Sequence, residues 1–218
     1  MAKKKNLTKD QLISLYMESL LDHGKQPSSV YSFAKDNNFD ESLFYQHYTS
    51  FKTLEQGVFK AFFDQTMTML HASNDYASYD SRNRLLSFQF TFFELLTANR
   101  SYVVHALEHN KSVLKSLEVL KELKHAYIKF IDELDLNLPN IKQETLSRIQ
   151  TKSVSESAWM QLLITLKFWL DDTSSSFEKT DVFIEKSVHA SFDLMDFRPL
   201  KSVLDFGKFL VKEKFQYT

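Results

Sequence analysis

The segment "HALEH", residues 105–109, has the residue types and the spacing of a metal-binding helix. Two histidines four residues apart lie on one face of a helix, and the order H-x-x-E-H occurs in a class of zinc peptidases. Such a site also needs a third ligand from a distant helix, and no other part of the sequence marks one. We therefore interpret His105 and His109 as solvated or capping side chains and predict no metal site.

Covalent and cofactor chemistry also lack candidate residues. The chain has no cysteine, and its three glycines, Gly24, Gly57 and Gly207, are too far apart for a phosphate-binding loop. No strand-to-helix turn with a nucleophilic serine is present. The carboxylate pair Asp171 and Asp172 falls at a predicted helix end, where it acts as a cap. We expect a protein that is not an enzyme and that has no cofactor.

The composition predicts a folded, helical chain. Of 218 residues, 43% are hydrophobic and 25% are charged, which is typical of a soluble globular protein. Three glycines and three prolines are too few for the turns of a sheet-rich fold of this length. No apolar run approaches the roughly 18 residues of a membrane span, and the first ten residues lack a secretory signal. Together with the absence of cysteine, this favours the cytoplasm.

The apolar periodicity predicts about nine or ten helices and no sheet. The first helix begins after the N-cap Thr8 and ends at Gly24, and the next begins after Ser29. Asp40 is the predicted cap of a third short helix, and Ser50 is the cap of a longer fourth. Later helices are predicted over residues 85–96, 111–136, 141–170, 177–195 and 200–215.

Two short helices joined by a tight turn at Asn37 and Asn38, after one packing helix, form a helix-turn-helix arrangement. The segment "SSVYSFAKDNNFDESLFYQHYTSFKTL", residues 28–54, resembles the DNA-binding domain of the TetR family. The resemblance covers about residues 8 to 65. The family's threonine, Ile-Ala, Gly-Val-Ser and Leu-Tyr-x-His-Phe positions are filled here by Ser28, Ser29, Phe33, Ala34, Asn38, Phe39, Asp40, Phe44, Tyr45, His47 and Tyr48, with Ser50 and Leu54 after them.

The resemblance implies an all-α, TetR-like fold. A helix-turn-helix domain would occupy residues 1–50, and a helical ligand-binding and dimerisation domain would occupy residues 51–218. The lysine-rich start would reach DNA phosphates as a flexible extension. The implied DNA-binding residues are Lys3, Lys4, Lys5, Ser28, Ser29, Ser42, Leu43, Tyr45, Gln46, His47 and Lys52.

The charge of this segment departs from the family pattern. Residues 1–60 hold eight lysines, seven carboxylates and no arginine, whereas affinity for DNA comes largely from cations that neutralise phosphates. Phe51 stands where the family has its signature lysine, and Lys52 follows one position later. Asp40 and Glu41 would point towards phosphates at the entrance of the groove. These features argue against sequence-specific binding to an operator, but they do not change the predicted fold.

The second half of the chain resembles a TetR-fold protein class that does not bind DNA. The stretch "WMQLLITLKFWLDDTSSSFEKTDVFIEKSVHASFDLM", residues 159–195, is similar to the end of the lipid-binding proteins of ubiquinone biosynthesis. That class holds isoprenoid lipids and has a terminal amphipathic helix. In this chain the apolar positions of residues 200–215 would make weak contact with a membrane surface.

The aromatic content, twenty Phe, nine Tyr and two Trp, fits both classes. Most of these rings pack the core, but helical bundles that hold apolar ligands also line their cavities with them. The predicted lining of a hydrophobic ligand site is Phe88, Phe92, Trp159, Leu163 and Phe168. The resemblance also implies a homodimer through the last two long helices. Its predicted contacts are Trp159, Leu162, Leu166, Trp169, Ile184, Val188, Phe192 and Met195.

The sequence thus predicts a homodimeric TetR-like transcriptional regulator that binds DNA and responds to a hydrophobic small molecule. The alternative is a lipid- or isoprenoid-binding accessory protein on the same fold.

Overall fold

The computed structural model describes residues 4–108, 117–136 and 144–196. In these ranges the fold is all-α, as predicted, with an isolated parallel bridge between Lys5 and Phe39 as the β-type pairing. Two short 3₁₀ turns cover Tyr76–Ser78 and Ser175–Phe177. The α-helices are α1 Lys9–His23, α2 Val30–Asp36, α3 Glu41–His47, α4 Phe51–His71, α5 Ser81–Ala98, α6 Arg100–Glu108, α7 Lys121–Glu133, α8 Glu144–Asp171 and α9 Glu178–Asp196.

The first four helices begin where the caps predict. The Thr8 hydroxyl accepts a hydrogen bond from the Gln11 N–H at 3.2 Å, and the Gln11 side chain accepts one from the Thr8 N–H at 2.9 Å. Ser29 and Ser50 cap α2 and α4 in the same way. Gly24 ends α1 with a φ of 63°, a conformation that is cheap only without a Cβ.

Two later predictions are corrected, and one helix was missed. Helix α5 begins at Ser81, because the Asp80 carboxylate accepts a hydrogen bond from the Asn83 N–H at 2.7 Å and caps the extra turn. Helix α6 was not predicted. A turn at Leu120 interrupts the helix predicted over residues 111–136, so α7 begins at Lys121. The helix predicted over residues 200–215 lies outside the described residues.

The chain forms two compact units. Unit 1 comprises Met1–Ala77 and Thr91–Glu133, and unit 2 comprises Ser78–Phe90 and Leu134–Thr218. In unit 1, α1 packs against α4 and α6, α2 against α3, and α4 against α7. The functional boundary expected at residue 50 stays a prediction.

Unit 2 is held by apolar packing of α9 on α8 and by a buried carboxylate between them. Asp172 accepts hydrogen bonds from the Ser174 N–H at 2.8 Å and hydroxyl at 2.7 Å, and from the Thr180 N–H at 2.9 Å and hydroxyl at 2.7 Å. Burial favours the protonated acid, but these four donors prevail and lower the pKa of Asp172 to about 2. The connection between α8 and α9 is therefore tied by one ionised side chain.

Candidate nucleic-acid interface

Helices α2 and α3 are fixed to each other by a tight turn and an aromatic core. Asn38 has a φ of 58°, which asparagine tolerates better than most residues, and the Phe39 N–H donates to the Ala34 carbonyl at 3.0 Å. The Phe33 ring meets the Phe39 ring edge-on, with 5.4 Å between centroids. The tight turn predicted at Asn37 and Asn38 is present, and the ring packing adds a contact that was not predicted.

Phe51, at the position of the family's signature lysine, is part of this aromatic core. Phe51 is 6% exposed and stacks on Tyr16, with 5.5 Å between ring centroids, and it also packs against Phe44. A lysine ammonium cannot be buried there without a large desolvation penalty. Lys52, one position later, is exposed and forms an ion pair with Glu118. The cation expected to contact a phosphate therefore already has an acidic partner.

Helix α3 presents a polar and aromatic face outward. Ser42, Gln46 and His47 are exposed, and Tyr45 is 53% exposed. Leu43 is buried, which corrects its prediction as a DNA contact, because its side chain packs inward. Tyr31 on α2 is 62% exposed and was not among the predicted DNA contacts. The spacing of the inward-facing residues of α2, Val30, Phe33 and Ala34, carried the signal that Tyr31 points outward.

The serines at the start of α2 are exposed but engaged. The Ser29 hydroxyl accepts from the Ser32 N–H at 3.0 Å, so it serves as the cap of α2. The Ser28 hydroxyl lies 3.1 Å from the Ser32 hydroxyl.

Lys4 and Lys5 are held along the α2–α3 turn. The Lys5 N–H donates to the Asn38 carbonyl at 2.8 Å, so the flexible extension predicted for Lys4 and Lys5 is wrong; Lys3 lies outside the described residues. The Lys4 ammonium pairs with the Asp40 carboxylate at 2.7 Å. Asp40 stands at the N-cap position of α3, but its side chain makes no cap hydrogen bond, which corrects the predicted capping role. Lys4 thus offsets one of the two carboxylates at the start of α3.

The residues predicted to line a ligand site are dispersed between the two units. Phe92 is buried in unit 1, whereas Phe88 and Trp159 are buried in unit 2. Leu163 and Phe168 are half-buried in unit 2. Phe168 lines an open groove of about 610 Å³ along α8 and α9, together with Glu178, Lys179, Val182, Phe183, Lys186 and Ser187. The ligand site stays a prediction.

Most of the predicted dimer residues are buried in the core of one chain. Phe192 and Met195 are half-buried, and the other six are at most 6% exposed: Trp159, Leu162, Leu166, Trp169, Ile184 and Val188. These six side chains pack within one chain, and the dimer contact stays a prediction. Several other apolar side chains of α8 and α9 are exposed. We call the following set the α8–α9 stripe: Met160 (55% exposed), Ile164 (52%) and Val182 (46%), with the half-buried Phe168 and Phe183 stacked at 4.5 Å.

Within the part of the chain that the structure describes, no group of three His, Cys, Asp or Glu side chains is arranged to hold a metal ion. His105 is half-buried on α6, and His109 lies outside that part. A search of the same residues finds no helix long and apolar enough to cross a membrane.

Comparison with known proteins adds one finding. A family profile described as "Tetracyclin repressor-like, C-terminal domain" matches residues 84–210, more than half of the chain. No curated protein matches the sequence.

Proposed function

Because the chain belongs to the tetracycline repressor-like family through its C-terminal domain, we propose that it is a DNA-binding transcriptional regulator that responds to a hydrophobic small molecule. Such a role places it with the DNA in the cytoplasm. The family match supports the class of regulator, and the N-terminal helices support the contact with DNA. We propose no catalytic activity for it.

The outward face of α3 is the observation that carries the proposal. Phe44 is fully buried and anchors the helix, while Ser42, Tyr45 and Gln46 remain exposed. In helix-turn-helix proteins the second helix enters the major groove, and glutamine pairs well with the edge of adenine there. A tyrosine beside it supplies a hydroxyl for a phosphate and a ring for a thymine methyl.

Phosphate contacts come from few cations on this surface. Lys5 is exposed beside the α2–α3 turn, and Lys4 neutralises Asp40. With so few cations, we expect weaker and less salt-dependent binding than a basic recognition domain shows.

We propose that the α8–α9 stripe joins two copies as an isologous dimer, the arrangement that pairs two recognition helices on one duplex. Exposed apolar residues on neighbouring helices are typical of an interface that a second subunit covers. This moves the predicted dimer contact from the buried face of α8 and α9 to their exposed face.

The experiment that tests the proposal is the binding of the full-length protein to a labelled random duplex, followed by fluorescence anisotropy. We expect a Kd that rises at least about tenfold between 50 and 200 mM salt. Absence of binding at 50 mM salt would contradict the proposal.

The alternative, a lipid-binding accessory protein that does not bind DNA, is favoured by two observations. Phe51 occupies the lysine position, and Lys52 is paired with Glu118. The test is co-flotation with vesicles that contain an anionic phospholipid. Flotation combined with no affinity for DNA would establish this alternative.

A further inference from the structure

Glu55 of α4 is a half-buried carboxylate with an unusual environment. The Tyr16 hydroxyl of α1 donates a hydrogen bond to its Oε1 at 2.6 Å. No other donor to this carboxylate is found among the described side chains and backbone groups. Burial raises the pKa of the Glu55 carboxyl, and the hydrogen bond from Tyr16 opposes that rise. A carboxylate has two oxygens that accept hydrogen bonds, so this group has acceptor capacity that Tyr16 does not fill.

A second tyrosine hydroxyl lies in the same region without a partner. Tyr102 of α6 is 1% exposed, and its hydroxyl is buried with no hydrogen bond. Its ring lies 6.3 Å from the Phe59 ring of α4, centroid to centroid. Burial raises the pKa of the Tyr102 hydroxyl, and the charge of Glu55 adds to the rise. Phe59 lies one helical turn after Glu55, so the Tyr102 ring packs against the same stretch of α4 that carries the underused acceptor.

A buried hydroxyl without a hydrogen-bond partner is unfavourable. This favours a second state of the protein in which the Tyr102 hydroxyl has an acceptor. Helix α1 packs against both α4 and α6, so the three side chains come from helices in mutual contact. A state of this kind needs Tyr102 to donate to Glu55 in place of Tyr16.

We propose that Glu55 accepts hydrogen bonds from Tyr16 and Tyr102 in turn, and that this exchange couples the position of α6 to that of α1. Tyr16 also stacks on Phe51 and meets the Phe33 ring edge-on at 6.1 Å between centroids. Release of Tyr16 from Glu55 therefore loosens the aromatic core that supports α2 and α3. Glu55, Tyr16 and Tyr102 are positioning residues, and their effect on DNA binding rests on the proposed function.

The test is a thermal-stability cycle of Tyr-to-Phe variants in the full-length protein. We expect Tyr16→Phe to lower Tm by about 5 °C, and Tyr102→Phe alone to leave Tm unchanged or slightly raised. In the Tyr16→Phe background Tyr102 becomes the donor, so Tyr102→Phe now lowers Tm by a further 3 °C or so. The same effect of Tyr102→Phe in both backgrounds would overturn the proposal.

Tyr48 provides the matched control. It is also a buried tyrosine of unit 1 with an unpaired hydroxyl, but it packs against Gly57 and has no bond to Glu55. We expect Tyr48→Phe to have one effect on Tm, whether or not Tyr16 is replaced.

A spectroscopic readout separates positioning from general loss of packing. With ¹³C-labelled tyrosine, the ring Cζ signal of Tyr102 should move in Tyr16→Phe, because its hydroxyl gains an acceptor. An unmoved Tyr102 signal would contradict the exchange. Neither this measurement nor the cycle uses DNA, so both remain decisive if the protein fails to bind a duplex. If it binds, Tyr16→Phe should change the Kd at least about threefold while Tyr102→Phe does not.

Discussion

Helix α3 and helix α8 both carry many aromatic and aliphatic residues, but they use them differently. Helix α3 has seven residues and buries Leu43 and Phe44, which leaves a polar face outward. Helix α8 has 28 residues, and the apolar residues of its second half lie on more than one side of the helix, between the polar positions Gln161 and Lys167. One chain buries Trp159 and Trp169 but leaves Met160 and Ile164 exposed. A short helix with one apolar face can bury that face within its own chain. A long helix with apolar residues on more than one face leaves some of them exposed, where a second subunit can cover them.

The largest effect is expected at the α8–α9 stripe. Ile164→Asp places a charge in the middle of the proposed dimer interface, where it would be desolvated without a partner. We expect the dimer Kd to rise at least about 100-fold, and light scattering to give the mass of a monomer. Lys152→Gln changes the net charge by the same amount at another exposed position of α8 and should leave the dimer intact. A dimer that survives Ile164→Asp would show that the α8–α9 stripe is not the dimer interface.

The outward face of α3 should show the next largest effect. We expect Tyr45→Ala combined with Gln46→Ala to weaken DNA binding by about 10- to 100-fold, because each base-edge contact contributes about 1–3 kcal/mol. Met69→Ala, which trims a half-exposed side chain near the other end of α4, is the matched control. Equal affinities in the anisotropy titration would mean that α3 is not the surface that binds DNA.

The buried carboxylate between α8 and α9 gives a pH-dependent prediction. The pKa of Asp172 is about 2 in the folded protein against 3.8 for an ordinary aspartate, so its stabilisation is complete above pH 4 and is lost as the pH falls towards 2. At neutral pH, Asp172→Asn should lower the free energy of unfolding by about 2 kcal/mol. The difference from wild type should shrink below pH 4.

The neighbouring residue is the control for this effect. The Asp171 side chain is 59% exposed and pairs only with Lys167 one turn away. Asp171→Asn should change the free energy of unfolding by less than about 0.5 kcal/mol. Similar losses for both variants would contradict the role given to Asp172.

The contact between α3 and α4 is tested by Gly57→Ala. An added Cβ would lie 2.7 Å from the Tyr48 ring, which ends α3, so the ring must move. We expect a loss of about 1–2 kcal/mol in denaturant unfolding, part of which Tyr48→Leu recovers. A more stable Gly57→Ala protein would mean that helix propensity outweighs this contact.

The smallest effect is expected for the exposed ion pair at the start of α3. Lys4→Ala should weaken DNA binding about two- to threefold, because exposed pairs contribute less than about 1 kcal/mol. If Lys4 acts by neutralising Asp40, the loss should disappear in an Asp40→Asn background. The same loss in both backgrounds would mean that Lys4 contacts a phosphate directly.

Local signals made much of the fold predictable. Thr8, Ser29 and Ser50 each cap a helix through a side chain in the same turn, and Gly24 and Asn38 take left-handed conformations for reasons intrinsic to their residue types. These signals need no knowledge of distant parts of the chain. Local signals also predicted which residues of α3 point outward, except for Leu43, which is buried.

The remaining features depend on contacts far apart in sequence. The sequence grouped Trp159, Leu162, Leu166 and Trp169 of α8 as one contact surface, but it did not decide whether they pack within their own chain or on a second copy. The pairing of Lys4 with Asp40 spans 36 positions, and the bond between Tyr16 and Glu55 spans 39. Such pairs leave no periodic signal, and a partner at that distance competes with the local capping that the sequence favours for Asp40.

The central claim, that the outward face of α3 touches DNA, is tested most directly by photocross-linking. Benzoylphenylalanine would replace Tyr45 in one protein and Met69 in another, each irradiated with a labelled duplex at 50 mM salt. The account predicts a cross-linked product at position 45, lost in 1 M salt, and none at position 69. No product at position 45, or equal yields at both positions, would contradict it.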